Sequence, residues 1–408
     1  MKIVATSDWH ADAFTLGVDR YPDIERNVLA SVELAVEEEV DLYIFAGDLS
    51  DPDTPGTQRA LGLAGQAASM LYRHGIVSIW VAGNHDVVED GSGATTLRAL
   101  AGIEQGGALA AGVRVFERPA ARIIATRSGD VAMVALPYPS RATHYDPGAF
   151  VDSLEAFPSS LPLIVVGHLA LEGMHPGSES KDMARGRSVT WPLAELGQVV
   201  PDGALILGGH YHVPIEVAIS RLPGQASLPL HIVGAPDALV MGERFAPRMV
   251  LAEWEPARIV AKGRARKPAA DVRNPGSGHW RASSKPFEGR DLVTIEATDR
   301  LWTPEGWAEK ERLPRPGALV KAFPPAEGGM PPAELEARLK GAGAARVVLM
   351  PPAPSDRVVL EPSKRAQHPS QTIREVVASL VEAARLPAGV EREAVRDALD
   401  QHLVAVGL

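Results

Sequence analysis

The 408 residues include no cysteine. That absence excludes disulfides, thiolate metal sites, iron–sulfur clusters and cysteine nucleophiles together, so any metal has to be held by His, Asp, Glu or Asn. Long apolar runs are missing as well. No stretch of about 18 apolar residues is available to cross a membrane, and the opening MKIVATSDWH has neither the basic region nor the apolar core of a secretory signal; a cytoplasmic protein without membrane contact is expected. Gly (38) and Pro (34) are too few for a low-complexity chain. Basic charge is in the minority, 41 Lys and Arg against 51 Asp and Glu for a formal net charge of -10, which argues against a protein coated in basic surface but not against local patches. At about 150 residues per domain the length implies two to three domains.

What is present is a repeated pattern: a short aliphatic run, a turn rich in polar residues, then a segment of helical spacing, the mark of an α/β fold. Ile3 to Thr6 leads to Ser7-Asp8-Trp9-His10, Leu42 to Ala46 to Gly47-Asp48, and Val77 to Ala82 to Gly83-Asn84-His85-Asp86. Leu161 to Val166 leads to Gly167-His168, and Ala204 to Leu207 to Gly208-Gly209-His210-Tyr211-His212. Open α/β sheets gather functional groups at the carboxyl ends of their strands, so these turns are expected to meet at one site.

The character changes after about residue 255. Arg258 to Arg290 holds nine basic residues and two acidic ones, whereas residues 1–100 hold 6 basic and 16 acidic. The stretch reads either as a solvated basic linker, with Asn274-Pro-Gly-Ser-Gly as a loop, or as a surface that tracks phosphates. A smaller α/β unit is expected beyond it, with strands at Leu292 to Glu296, Ala318 to Phe323 and Ala345 to Met350 and a helix at Pro332 to Lys340. Pro351 to Pro369 reads as a second linker. In the tail, Thr372 and Glu375 form a capping-box pair ahead of a stripe of Ile373, Val376, Val377, Leu380, Val381 and Ala384. Leu386-Pro387-Ala388-Gly389 interrupts it, and Val395, Ala398, Leu399, Leu403 and Val406 make a second stripe. A helical hairpin is expected, docked on its own domain or on a partner. The expected domains are 1–255, a catalytic α/β domain; 256–355, a basic linker and cap; and 356–408, a linker and hairpin.

Asp8 and His10 can both turn toward a metal across one tight turn. A carboxylate such as Asp48 has two oxygens and can bridge two cations, Asn84 offers a carbonyl oxygen, and His168, His210 and His212 offer imidazole nitrogen. This mixed set suits borderline divalent ions such as Mn²⁺, Fe²⁺ or Zn²⁺ better than Ca²⁺. Any one of these motifs alone is more often a capped turn or a satisfied histidine. Together they take five of the 12 histidines, in a fixed order with Asp8, Asp48 and Asn84, and point to a site for two ions. No Gly-x-Ser-x-Gly nucleophile elbow competes with that reading.

The ordered set Asp8-x-His10, Gly47-Asp48-x-x-Asp51, Gly83-Asn84-His85-Asp86, Gly167-His168 and Gly209-His210-x-His212 resembles the calcineurin-like metallophosphoesterase family over residues 1 to about 254. The resemblance implies an α/β fold built as a β-sandwich flanked by helices, with one ion held by Asp8, His10, Asp48 and His212, the other by Asp48, Asn84, His168 and His210. It also implies that His85 contacts the scissile phosphate, with Asp86 or Asp51 orienting it. Secondary motifs are similar to the SbcD branch, related to the meiotic recombination eleven nucleases: Asp51-Pro-x-x-Pro55, Leu136-Pro137-Tyr138, and Gly234-Ala235-Pro236 followed by Met241-Gly242-Glu243. That branch implies Mn²⁺ (with Mg²⁺, Fe²⁺ or Zn²⁺ as alternatives), DNA as substrate and an SbcC-type ABC ATPase docked on the C-terminal hairpin, with a homodimer left open. Trp9-His10-Ala11-Asp12 and Gly47-Asp48-Leu49-Ser50 depart from the branch at the rim of the cup. Trp9 is expected either to stack on a nucleobase or to pack beneath the metal loop. The rival readings are a stand-alone phosphodiesterase of a small nucleotide or other phosphoester, and a non-catalytic scaffold for the ATPase.

Overall fold

Alternation of side chains along short aliphatic strands builds two sheets that share one core. In the computed structural model of the chain, Ile3 and Ala5 face one side of their strand and Val4 the other, each fully buried, which is the period-two pattern of a strand covered on both faces. The structure describes residues 1–51, 58–87, 94–106, 112–139, 144–152, 157–158, 160–172, 174, 190–201, 203–219, 227–243, 245–256, 278–303, 305–308, 313–325 and 328–351. The expected hairpin at 372–406, the linker at Pro351 to Pro369 beyond its first residue, and the basic run from Arg258 to Arg273 lie outside them.

The first sheet has the order Gly278–Pro286, Arg248–Pro256, Lys2–Thr6, Leu42–Phe45, Val77–Val81, Val113–Phe116. Its last four strands run parallel and the first two antiparallel. The second sheet has the order Ile215–Ile219, Leu228–Ile232, Leu205–Gly208, Leu163–Gly167, Gly129–Leu136, Ala120–Thr126, parallel at its centre and antiparallel at its edges. Ile44, Ile79 and Val81 from one sheet meet Met133, Val166 and Leu207 from the other in the shared core. Helices Tyr21–Glu37 and Gln58–Arg73 cover the outer face of the first sheet through Val28, Val32, Leu63 and Ala67, against Tyr43, Phe45 and Trp80. Helix Leu193–Val199 packs Leu196 against Val165 and Ile206 on the outer face of the second. This is the helix-flanked β-sandwich that the family resemblance implied. Among the described residues no helix is long and apolar enough to cross a membrane.

Gly278–Pro286 differs from the expectation of a linker. It forms the edge strand of the first sheet, paired along nine residues with Arg248–Pro256. Two basic residues of the Arg258 to Arg290 stretch are engaged within the fold: Arg281, in this strand, pairs with Glu255, and Arg290, beyond it, grips Asp23 with Nε and Nη2 at 2.6 and 2.9 Å. The elements expected beyond it are present: strands Leu292–Ile295, Leu319–Ala322 and Arg346–Leu349 in one sheet, and helix Pro332–Gly341. The described residues divide into two compact units, one drawn from Met1–Thr294, Pro314–Val320 and Leu339–Val348, the other from Ile295–Leu313 and Lys321–Arg338. In the second, Leu301, Trp302, Met330 and Leu335 are buried.

A charged cluster locks the loops of the first unit. Arg20 is fully buried; its Nη2 lies 2.7 Å from Asp237, its Nε 3.2 Å from Asp23, and its Nη1 donates to the Ala238 carbonyl and the Thr15 hydroxyl. Burial alone would raise the Asp23 carboxyl, but Arg290 and Arg20 outweigh it and hold it below the usual range. Removing one partner from a buried pair leaves an uncompensated charge, which costs about 3–5 kcal/mol. Arg20→Ala is therefore expected to lower stability in urea unfolding by that order, and Arg290→Ala, whose side chain is 24% exposed, to lower it less.

Candidate metal centre

Five parallel strands release their chains at one place. Lys2–Thr6 delivers Asp8 and His10, Leu42–Phe45 delivers Asp48, and Val77–Val81 delivers Asn84 and His85 from the first sheet; Leu163–Gly167 delivers His168 and Leu205–Gly208 delivers His210 and His212 from the second. The turns that do this are strained. Asp8, His10, Asp48 and His210 have φ of 50°, 42°, 62° and 82°, in the left-handed region that costs side-chain-bearing residues on the order of 1–3 kcal/mol unless the surroundings enforce it.

The enforcement is visible in the hydrogen bonds. The Asp8 amide donates to the Gly47 carbonyl at 2.8 Å, that of His10 to Asp48 at 3.1 Å and that of Ala11 to Leu49 at 2.9 Å, so the first two loops run zipped together. Asp86, buried, accepts the amides of Asp48 and Gly83 on one oxygen and the Leu49 amide and Thr96 hydroxyl on the other. Burial and the Asp48 charge raise its pKa while its backbone donors oppose the shift. Asp86 thus holds the loop that carries Asp48; among the described residues its bonds do not reach the His85 ring it was expected to orient. Asp51 donates its amide to Asp12 Oδ1 at 2.6 Å, closing the other side of the same loop. Close approach also dictates two glycines: a Cβ at Gly83 would sit 2.1 Å from Asp48 Oδ1, and one at Gly209 would sit 2.2 Å from the Ala46 carbonyl oxygen.

The side chains converge as two groups of candidate ligands, Asp8 with His10 and His212, and Asp8 with Asp48 and His168. His10 Nδ1 faces the Ser50 carbonyl at 3.1 Å and His212 Nδ1 faces a Glu243 carboxylate oxygen at 2.8 Å. Both partners are acceptors, so each Nδ1 carries the proton and each Nε2 presents a lone pair. Those two Nε2 atoms are 3.1 Å apart, an arrangement that a cation between them would stabilise. His168 repeats the logic: its Nδ1 donates to the Ala46 carbonyl at 2.7 Å, which turns Nε2 toward Asn84 Oδ1 at 3.0 Å and Asp48 Oδ2 at 3.2 Å. Asn84 Oδ1 also lies 2.9 Å from His210 Nδ1. Asp48 Oδ2 stands between His168 and His10, 3.8 Å from the latter's Nε2, while Oδ1 accepts the His85 amide at 2.9 Å. Asp8 Oδ1 accepts the His210 amide, and Oδ2, buried, has no hydrogen-bond partner among the described residues. Buried oxygens and imidazole lone pairs facing one another are the donor set of a divalent-ion site, and the residues present fit such ions.

Electrostatics point the same way. Burial raises the Asp8 carboxyl to about 6, against His168 and with Asp48 adding to it. Asp48 is held well below the carboxylate range because His168 and His85 outweigh its burial. Burial disfavours charge on His168, yet Asp48 and Asp8 outweigh it and push the ring up to about 9.

All seven expected ligands therefore lie in one cup, and His85, 15% exposed with Nε2 3.9 Å from Asp48 Oδ2, stands at its mouth. Trp9 is not at the surface. It is fully buried, packed edge-on against Phe45 and Trp80 with Nε1 donating to Thr6 Oγ1, so it supports the loop from beneath and cannot stack on a base. Glu243, noted in the sequence only as part of a motif, takes the amides of Leu239 and Val240 on Oε2 and His212 on Oε1. His212 and these amides outweigh its burial and lower its pKa. It fixes the tautomer and direction of a candidate ligand.

The sequence profile of the calcineurin-like phosphoesterase family matches residues 1–214, a span that ends just beyond His212. No curated protein matches the chain. Among solved structures the chain is similar to the TT1561 protein of Thermus thermophilus, at 15% identity over 57% of this chain and 89% of that one with a TM-score of 0.32. It is also similar to a dimetal phosphatase from Danio rerio, at 8% identity over 62% of this chain and 91% of that one with a TM-score of 0.34.

Two outcomes are expected. Ligand imidazoles bind metal in the neutral form, so at a pH between the Asp8 value of about 6 and the His168 value of about 9, loading the site should release about one proton, from His168. Calorimetry in buffers of different ionisation enthalpy measures that number, and no release would place His168 outside the metal shell. Glu243→Gln should weaken metal affinity by roughly 10- to 100-fold with the fold retained, read by competition with a metallochromic chelator.

Proposed function

The chain belongs to the calcineurin-like phosphoesterase family, as a metal-dependent phosphoester hydrolase, and on that premise we propose that it is an SbcD-type nuclease that cleaves phosphodiesters of DNA. The observation that carries the finer reading is the Glu243–His212 bond at 2.8 Å. The Met241-Gly242-Glu243 stretch, similar to a motif of that branch, meets the metal cup directly.

In this reading Asp8, His10, Asp48 and His212 hold one divalent ion and Asp48, Asn84, His168 and His210 the other, with Asp48 shared. Divalent ions held there, Mn²⁺ in first place, would supply Lewis acidity and a water activated near neutral pH. The protein contributes the rest. Asp86 and the zipped loops keep the ligands fixed before substrate arrives, so little reorganisation accompanies reaction. His85, at the mouth and anchored through its own amide to Asp48 Oδ1, holds a proton at Nε2 for the departing oxygen. The expected C-terminal hairpin, outside the described residues, would dock on an SbcC-type ATPase in the cytoplasm.

The test is cleavage of end-labelled double- and single-stranded DNA with Mn²⁺, Mg²⁺ and Zn²⁺, beside a small nitrophenyl diester. Metal-dependent DNA cleavage, lowered on the order of 10²- to 10⁴-fold by His85→Ala with metal content retained, is expected. Hydrolysis of the small diester without action on DNA would make the protein a stand-alone phosphodiesterase instead.

A further inference from the structure

Trp9, the aromatic ring expected at the metal cup, is buried beneath it, but Phe14 farther along the same loop is not. Among the described residues three large apolar side chains stand exposed: Phe14 at 55%, Val240 at 41%, and Ile123. Scattered singly such residues need no explanation. Phe14 and Val240 are distant in the chain, yet the fold brings the loops that carry them together at the rim of the cup.

The joint is made by their immediate neighbours. Thr15 Oγ1 donates to the Leu239 carbonyl at 2.6 Å, and from below Arg20 Nη1 reaches Thr15 Oγ1 at 3.1 Å and the Ala238 carbonyl at 2.7 Å. Each loop is tied to the cup as well. The Ala13 amide donates to the His10 carbonyl at 2.9 Å. The Val240 amide donates to Glu243 Oε2 at 3.0 Å, while Oε1 of the same carboxylate holds His212. His10 and His212 are the candidate ligands whose Nε2 atoms lie 3.1 Å apart, so both apolar side chains belong to the rim on that side of the cup. The four residues from His10 to Phe14 span at most about 14 Å even when extended, a distance that a nucleotide next to a metal-bound phosphate can cover.

Phe14 is also presented rigidly. Phe14–Thr15 pairs antiparallel with Val18–Asp19, and the connecting Leu16 and Gly17 have φ of 52° and 74°, the positive values at both positions that a tight two-residue hairpin requires. Alternation along the strand buries Thr15 at the joint and turns Phe14 outward. Asp19, opposite Phe14, has its carboxylate paired with Arg59, so its charge is compensated where a phosphate chain approaches. A ring fixed before its ligand arrives loses little freedom on binding. What such a ring takes beside a phosphoester-cleaving cup is the flat, apolar part of a nucleotide: every base has a π-face that stacks on an aromatic side chain regardless of sequence. Inside a duplex both faces of a base are covered by its stacked neighbours, so only an unpaired or terminal base has a face to offer.

We propose that Phe14, with Val240 across the joint, is a specificity-determining residue that stacks on an unpaired base of the nucleotide flanking the scissile phosphate, and so favours single strands and frayed ends over intact duplex. The proposal rests on the nuclease reading for the identity of the substrate.

The experiment measures kcat and KM of the metal-loaded protein for cleavage within the central run of two end-labelled single strands, one with bases throughout and one with abasic sugars in that run. Wild type, F14A, F14L and F14W are compared, with metal content and melting temperature checked for each. F14L keeps apolar bulk at the hairpin and removes only the flat ring, so it decides the matter should F14A disturb the loop. On the strand with bases, F14A and F14L are expected to raise KM on the order of tenfold, the effect of one stacked base, and F14W to keep the wild-type value. On the abasic run all four proteins are expected to act alike. A wild-type KM in F14L on the strand with bases, or an equal loss on both strands, overturns the proposal while leaving the nuclease reading in place. If the wild type cleaves neither strand, the nuclease reading fails and the stacking role fails with it.

Discussion

Acceptor groups crowded out of contact with water are the constraint from which the rest of this structure follows. Asp8 and Asp48 are buried beside imidazoles whose outer nitrogens are fixed by carbonyl or carboxylate partners. In a medium of low polarity such a set is costly unless positive charge lies within it. Protons serve that purpose, which is why His168 and Asp8 both hold theirs to higher pH than usual. Divalent ions serve it better, and metal binding and proton loss become two sides of one equilibrium.

A group that repels itself has to be held by something else, and here the holding comes from the layer behind. Backbone carbonyls of Ala46 and Ser50 orient two rings, Glu243 orients a third, and Asp86 ties the loop after Leu42–Phe45 to the loop after Val77–Val81. That layer is itself anchored. The segment around Glu243 begins at Asp237, which Arg20 grips, and Arg20 also reaches Asp23, the partner of Arg290. Rigidity at the cup thus runs back through buried ion pairs outside it, and the left-handed turns persist because the whole assembly enforces them.

Much of this was legible in the sequence, for a physical reason. Ligand chemistry restricts residue type, and close approach restricts the neighbour to glycine, so Gly47-Asp48, Gly83-Asn84-His85 and Gly209-His210-x-His212 mark themselves. The alternating aliphatic runs before them read directly as strands, and the expected strands and helix of the smaller unit coincide closely with Leu292–Ile295, Leu319–Ala322, Pro332–Gly341 and Arg346–Leu349. What was not legible depends on contacts distant in the chain. Trp9 sits among polar loop residues, and only the turn at Asp8 sends it inward to Phe45 and Trp80. Gly278–Pro286 looks like linker because it follows Asn-Pro-Gly-Ser and alternates polar residues on its open face; its strand character comes from its partner Arg248–Pro256. Glu243 stood out as part of a motif, but its role exists only once His212 is folded against it.

Strand Lys2–Thr6 lies between Leu42–Phe45 and Arg248–Pro256, and its antiparallel pairing joins Lys2 to Glu253 and Ala5 to Val250. During synthesis Asp8 and His10 leave the ribosome long before Arg248–Pro256, the strand that closes over theirs, has been made. Contacts of such separation form slowly because a long loop must close before they are rewarded. The nascent chain therefore carries an incomplete ligand set until His210 and His212 have been made. The cup and the sheet that supports it are complete only when Arg248–Pro256 has paired beside the first strand.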